Sequence, residues 1–250
     1  MESNHSQSVN IEEVKPAFNL GGFAVLMLAA FFGAMAAAIF MPNWLPALTQ
    51  SAAGTAPKAF WYLSRGSAFV AYTLLWLSMI LGTGITNKLS VLWPGLPPTI
   101  EIHQYTSILG LAFGFFHGLI LMGDHYMAFS LSQVLIPFAT SGYRPLWVGI
   151  GQVGFYTMLI VTLSFYVRKK IGPKAWRAIH FVSFLTFVSV LVHAILAGTD
   201  ASTMGAQLFY MITGGLLFFM ILYRILASSA AAREKKRKLQ ERGIPPQFTN

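Results

Sequence analysis

Four histidines lie in two long apolar stretches of the sequence, His103 and His117 in one and His180 and His193 in the other. An ionisable side chain inside a bilayer is costly, so such histidines are expected to have a function. The members of each pair are 14 and 13 residues apart, which is roughly 20 Å along a helix axis. Two nitrogens on opposite sides of one metal ion are only ~4 Å apart. Each histidine therefore needs a partner on the other helix, and we predict two stacked sites, His103 with His180 and His117 with His193.

Bis-histidine ligation inside a helical bundle is a common way to hold b-type haem. On an ideal helix, Gly110 and Gly114 lie within roughly 40° of the direction of His103. The absence of side chains at these glycines would let a flat macrocycle approach the backbone between the two ligands. With Gly118 they also form a GxxxGxxxG pattern, which favours close contact between membrane helices. Both interpretations are compatible.

The composition is that of a membrane protein. Hydrophobic residues make up 55% of the 250 residues and charged residues only 10%, whereas about a quarter is usual in soluble domains. The sequence has no cysteine, which excludes disulfides, thiolate-ligated iron–sulfur clusters and covalently attached c-type haem. Any haem must therefore be held by histidine ligation and burial.

Apolar runs of about 20 residues, the length that spans a bilayer, predict an all-α membrane protein, a bundle of six transmembrane helices around two stacked b-type haems. The runs cover about 21–41, 60–84, 101–122, 146–167, 178–197 and 205–226. The predicted regions are a polar N-terminal tail (1–19), the six-helix domain (20–226) and a basic C-terminal tail (227–250). The first tail lacks the features of a cleaved signal peptide, and His5 within it is expected to be solvated.

Basic residues predict the orientation of the bundle. If the N-terminus is cytoplasmic, fourteen of the seventeen Lys and Arg residues lie on or near the inside and three outside, as the positive-inside rule requires. Both termini are then cytoplasmic, and His103 and His180 form the inner pair. The inside residues are Lys15, Lys88, Arg168, Lys169, Lys170, Lys174, Arg177, Arg224, Arg233, Lys235, Lys236, Arg237, Lys238 and Arg242, and the outside ones are Lys58, Arg65 and Arg144.

Two arginines lie at predicted helix ends near the histidines. Arg65, at the outer end of the second helix, and Arg177, three residues before His180, could each bind a haem propionate. The alternative for both is an interfacial anchor whose charged end reaches water.

Other residues at the membrane surfaces have simpler interpretations. Four tryptophans at predicted helix ends, Trp61, Trp93, Trp147 and Trp176, are interpreted as interfacial anchors. The outer loop (residues 123–145) is long and partly apolar, and we expect a short amphipathic helix in it that covers the outer haem. Within that loop, His125 is expected to be a surface histidine, with contact to a metal or acceptor as the alternative.

From about Phe60 to Arg224, the sequence resembles the ferric reductase-like transmembrane domain, shared by NADPH oxidases, ferric reductases and the haem-binding membrane subunit of bacterial methionine sulfoxide reductase systems. The two histidine spacings are the strongest element of the resemblance. Weaker elements are Ser64-Arg65-Gly66 and the segment Gly172-Pro173-Lys174-Ala175-Trp176-Arg177 before His180. The resemblance implies two b-type haems that carry electrons from the cytoplasmic to the outer side. No Rossmann-like glycine fingerprint is present in the sequence, so we expect a separate flavoprotein, such as a cytoplasmic flavin reductase, to be the electron donor.

The leading hypothesis is therefore a haem-b electron-transfer component of an oxidoreductase in the plasma (bacterial inner) membrane. Its acceptor would be ferric iron, oxygen or a periplasmic redox protein. The lipid bilayer is an expected partner and nucleic acid is not. The alternatives are a quinol-oxidising cytochrome b subunit, and a non-haem transporter whose histidines line a proton or metal path.

Overall fold

The computed structural model describes residues 13–46, 59–87, 89, 95–124 and 129–241, and within these ranges the chain is helical and contains no strand. Two 3₁₀ turns, Leu121–Gly123 and Thr199–Ser202, join longer elements. The α-helices are α1 (Leu20–Trp44), α2 (Ala59–Thr86), α3 (Leu96–Ile120), α4 (Leu131–Leu135), α5 (Pro145–Ala197) and α6 (Met204–Glu241).

Among the described residues, five helical segments are long and apolar enough to cross a membrane, and they belong to α1, α2, α3, α5 and α6. Helix α5 has 53 residues, about 80 Å at 1.5 Å per residue, which far exceeds a hydrocarbon core of about 30 Å. It is broken at Gly172, whose φ of 81° and ψ of 162° are not helical, immediately before Pro173. A positive φ favours glycine because it has no Cβ. Helix α5 therefore consists of a first arm (residues 145–171) and a second arm (residues 173–197).

The two arms of α5 pack antiparallel. Thr186 Oγ1 donates a hydrogen bond to Thr157 Oγ1 at 2.8 Å, and near the far end the Tyr143 hydroxyl donates to the carbonyl of Ala197 at 2.7 Å. Between these contacts the arms approach closely at Gly154, where an added Cβ would lie 3.0 Å from a methyl carbon of Val190. The five helices thus supply six membrane-length segments over the described ranges, in agreement with the predicted spans.

The interior of the bundle is built on α2 and α3, which make the most extensive helix–helix contact. Gly110 allows this approach, since an added Cβ would lie 3.3 Å from Leu74 Cβ and 3.4 Å from the backbone nitrogen of Leu75. The main cluster of buried apolar side chains draws on α1, α2, α3, both arms of α5 and α6. Its members are Phe23, Tyr72, Leu75, Met79, Ile108, Leu111, Met158, Phe187 and Leu217.

The outer surface of the bundle is strongly apolar. Phe181 on the second arm is 64% exposed, and Val25 on α1 and Phe218 on α6 are 66% and 68% exposed. Soluble monomers rarely expose large contiguous apolar patches, whereas such surfaces suit a lipid environment. The chain has the character of a multi-pass membrane protein.

The N-terminal tail, predicted to be polar, is packed against the bundle where it is described. The backbone N–H of Ala17 donates to Gln104 Oε1 at 2.7 Å, and Gln104 Nε2 donates to the carbonyl of Lys15 at 3.2 Å. The guanidinium of Arg168 donates to the carbonyl of Val14. This segment therefore lies across the end of the bundle that holds His103. His5, which is predicted to be solvated, lies outside the described residues.

Helix α6 extends well beyond residue 226, where the last predicted span ends. The segment after residue 226 consists largely of Ala, Lys, Arg and Glu, which have high helix propensity. Near the end of the helix, Arg237 and Glu241 form an i,i+4 ion pair at 3.4 Å. The basic tail is thus a continuation of the last helix as far as Glu241.

Candidate functional site

The structure brings His103 of α3 next to His180 on the second arm of α5. Their ring centroids are 6.1 Å apart and their planes are inclined by 71°. His103 Nδ1 lies 2.9 Å from the carbonyl oxygen of Ser78 and 3.1 Å from the hydroxyl of the same residue. Helix α2 therefore holds the Nδ1 side of this ring.

The second pair, His117 and His193, repeats this geometry near the other end of the bundle. The ring centroids are 6.2 Å apart and the planes are inclined by 70°. His117 Nδ1 lies 2.8 Å from the carbonyl oxygen of Ser64, and His193 Nδ1 lies 2.8 Å from that of Trp147. Both cross-helix proximities expected from the spacing are present, whereas iron binding stays a prediction.

The hydrogen bonds of the imidazoles determine which nitrogen can bind a ligand. A carbonyl oxygen can only accept a hydrogen bond, so Nδ1 of His103, His117 and His193 must carry the proton. In the neutral ring, Nε2 then has a free lone pair, which is the form that binds a metal, with the second nitrogen anchored to an acceptor. His180 differs, because its ring stacks on Trp176 with centroids 4.9 Å apart and planes inclined by 25°.

Two glycines make room for the histidine rings. At Gly82 an added Cβ would lie 3.2 Å from His103 Cε1, and at Gly151 it would lie only 2.5 Å from His193 Nδ1. Any larger residue at position 151 would force the His193 ring to move. These glycines fix the distance between each ring and the helix behind it.

The two glycines predicted to face the macrocycle have different environments. Gly110 packs against α2, as described above, which matches the helix-contact interpretation. Gly114 is more open, since the nearest atom to an added Cβ is Phe155 Cδ2 at 3.9 Å. Both residues also line the cavity beside His117.

A cavity of about 250 Å³ lies beside the outer pair. Its walls include His117, His193 and Gly114, and Arg65 and Asp200 also line it. The wall is mainly apolar, with few polar groups, as is typical of cofactor sites.

The predicted outer loop lies beside this cavity, and its residues Phe129, Gln133, Val134 and Leu135 line the wall. It contains the short helix α4, and its backbone is held by side chains of the first arm of α5. Gln152 Nε2 donates to the carbonyls of Gln133 at 2.7 Å and Val134 at 2.8 Å. The hydroxyl of Tyr156 donates to the carbonyl of Leu135 at 2.5 Å. His125, in the same loop, lies outside the described residues.

The two arginines predicted near the haems lie in different surroundings. Arg65 forms a two-point ion pair with Asp200, in which Arg65 Nε lies 2.5 Å from Asp200 Oδ2 and Nη2 contacts Oδ1. Its charge is therefore already paired at the edge of the outer cavity. Arg177 is exposed. The neighbouring side chain whose ring contacts His180 is that of Trp176.

The sequence contains a signal for the serine contacts that the histidine spacing alone did not identify. Ser64 and Ser78 are 14 residues apart on α2, the same interval as His117 and His103 on the antiparallel α3. Two antiparallel helices with equal spacings place both pairs in register. Asp200 carried no comparable signal, since a lone acidic residue in a short connection is usually solvated.

Replacement of Gly151 by Ala should weaken the outer site specifically. The new methyl group would overlap the ring of His193, so the ring must shift relative to the carbonyl of Trp147. We expect outer-site haem occupancy to fall several-fold when haem is limiting, as measured by haem content per protein. Gly215→Ala is the matched control, because an added Cβ at Gly215 meets nothing within 4 Å. Equal haem contents in the two variants would contradict this role for Gly151.

No protein-family model, characterised protein or solved structure matches the chain. Within the described ranges, no group of three or more His, Cys, Asp or Glu side chains is placed to hold a metal ion. Each histidine pair brings together two imidazole rings.

Proposed function

We propose that this protein is a transmembrane electron-transfer component that binds two b-type haems, one between His103 and His180 and one between His117 and His193. The observation that carries the proposal is the geometry of the two pairs. Each pair has a centroid separation close to 6 Å and an interplanar angle close to 70°. Two unrelated sites with the same geometry are difficult to explain by packing alone.

The measured separations agree with bis-histidine ligation. Iron–nitrogen bonds of about 2 Å on each side place the two Nε2 atoms ~4 Å apart, and each ring centre lies roughly 1 Å further out. The expected centroid separation is thus about 6 Å, against 6.1 and 6.2 Å in the structure. The Nδ1 bonds of His103, His117 and His193 to carbonyl oxygens also support the tautomer that a ligand requires.

The protein's own part in this function is to bind, orient and insulate. The haem would supply one-electron chemistry, while the chain sets the ligands, the distance between sites and their exclusion from water. Residues Ser64, Ser78 and Trp147 fix the rings through their carbonyls. The outer loop shields the outer site.

The proposed direction of transfer is from the cytoplasm to the outer side, because basic residues concentrate at one end of the bundle. The donor would be a separate cytoplasmic flavoprotein, and the acceptor would be ferric iron, oxygen or a periplasmic redox protein. The membrane would be the bacterial plasma membrane.

An optical spectrum of the purified full-length protein, produced with ample haem, tests the proposal. We expect a Soret band and a reducible α-band, with about two haems per chain by the pyridine haemochrome method. A correctly folded but colourless protein would refute haem binding and favour a non-haem path for protons or metals.

A further inference from the structure

Trp176 has a buried hydrogen-bond donor without an acceptor. Among the described side chains, its indole Nε1 is the one buried nitrogen or oxygen atom that has no hydrogen-bond partner. Buried indole N–H groups usually find an acceptor. From the sequence alone, Trp176 is interpreted as an interfacial anchor, and an anchor would have its N–H at the membrane–water interface. The burial of Nε1 does not fit that role.

The position of Trp176 links this donor to the inner histidine pair. Trp176 precedes His180 by four residues on one helix, so the two side chains share a face. Their rings stack with centroids 4.9 Å apart. The ring of His180 is supported by this stacking, whereas the rings of the other three histidines form hydrogen bonds to backbone carbonyls.

We propose that Trp176 is a positioning residue of the inner haem site: its ring fixes the orientation of His180, and its indole N–H donates a hydrogen bond to a carboxylate of the haem bound there. This inference rests on the proposed function. Indole N–H is a donor only, so its partner must be an acceptor, and a carboxylate is a strong one. Arg177, for which the sequence leaves a propionate contact and an interfacial anchor open, is exposed.

The charge of the carboxylate determines whether loss of this hydrogen bond makes the inner haem easier or harder to reduce. A hydrogen bond reduces the negative charge that the carboxylate presents to the iron. Without this bond the carboxylate stabilises the more positive ferric form, so the haem becomes harder to reduce. Loss of stacking has a different consequence, since it frees the His180 ring to rotate and weakens ligation.

Two substitutions in the full-length, haem-loaded protein separate these effects. Trp176→Phe keeps an aromatic ring and removes the N–H, and Trp176→Leu removes both. We expect Trp176→Phe to retain both haems and to lower the ratio of reduced to oxidised inner haem at least threefold at a fixed potential near its midpoint. Trp176→Leu should in addition alter the low-spin ferric EPR signal of the inner haem. The outer haem should titrate as before in both variants.

Trp44→Phe is the matched control, because Trp44 is 80% exposed on α1 and its ring contacts Phe40 rather than a histidine. It should leave the potentiometric titration unchanged. An unchanged inner haem titration in Trp176→Phe would overturn the hydrogen bond, and an unchanged EPR signal in Trp176→Leu would overturn the positioning role. If Trp176→Leu does not fold, Trp176→Phe still decides the hydrogen bond. Absence of haem from the unsubstituted protein would instead mean that the proposed function fails.

Discussion

Replacing His117 or His193 by Ala should remove the same haem, the outer one, and largely spare the inner one. The two ring centroids are 6.2 Å apart and the planes are inclined by 70°, and each ring would supply one ligand to the same iron. Their Nδ1 atoms are anchored separately, to α2 and to the first arm of α5. We expect haem content to fall from two to about one per chain in either variant. The pyridine haemochrome method measures this ratio directly.

The inner pair provides the complementary variants. His103→Ala and His180→Ala should each retain the outer haem. The spectrum of an inner-site variant and that of an outer-site variant should therefore add up to the spectrum of the unsubstituted protein. His5→Ala is a suitable control, because this histidine belongs to the predicted polar tail. Loss of both haems in every single variant would leave no support for two separate pairs, and retention of both in His117→Ala would exclude the assigned ligand.

The histidine pairs could be predicted from sequence because helix geometry determines them. Spacings of 14 and 13 residues in membrane-length apolar runs permit pairing only across helices, and the structure contains both proximities. The break of α5 was also predictable, because Gly172-Pro173 is incompatible with a continuous helix. Hydropathy marks where the last span ends, and the helix propensity of the basic residues that follow favours the continuation of the helix to Glu241.

Contacts behind the histidines could not be predicted in the same way. The acceptors for the Nδ1 protons are backbone carbonyls, which every residue has, so residue type alone does not identify them. The equal 14-residue spacing of Ser64 and Ser78 is a signal for two of the three acceptors, and Trp147 has no such signal. Gly82 and Gly151 are recognised only when the rings that they accommodate are placed. Arg65 shows a further difficulty, because its partner Asp200 lies 135 residues away in the sequence, and pairing at that separation depends on the tertiary fold.

Arg168, Lys169, Lys170 and Lys174, which are predicted to lie on the inside, have different environments. Arg168 is only 8% exposed, and its guanidinium binds the carbonyls of Phe165, at 2.7 Å, and of Val14. Lys169 and Lys170 next to it are exposed, as is Lys174. Arg168 therefore fastens the N-terminal segment, whereas the three lysines, like Arg177, are exposed and can meet an approaching protein. If this end of the bundle is cytoplasmic, all of them would contribute to topology and to attraction to anionic lipid.

Neutralising Lys169 and Lys170 should flatten the salt dependence of inner haem reduction. If the donor is an acidic flavin-dependent reductase, these exposed charges would steer its approach. The screening length falls from about 10 Å at 0.1 M salt to about 3 Å at 1 M, so the rate in the unsubstituted protein should fall on the order of tenfold across that range. With Lys169→Gln and Lys170→Gln together, it should already be slow at 0.1 M and change little. Stopped-flow reduction in vesicles that expose the basic face, with the reductase and its nicotinamide, measures both rates.

Arg144→Gln is the control for total charge, because Arg144 lies at the opposite end of the bundle, where it donates to the carbonyl of Leu196. It should preserve the steep salt dependence. Arg168→Gln should instead release the N-terminal segment from the bundle, which protease cleavage near residue 14 would detect. A salt-independent rate in the unsubstituted protein would exclude electrostatic docking at this surface. Reduction by quinol alone, without the flavin reductase, would favour the quinol-oxidising cytochrome b, because electrons would then enter from within the bilayer.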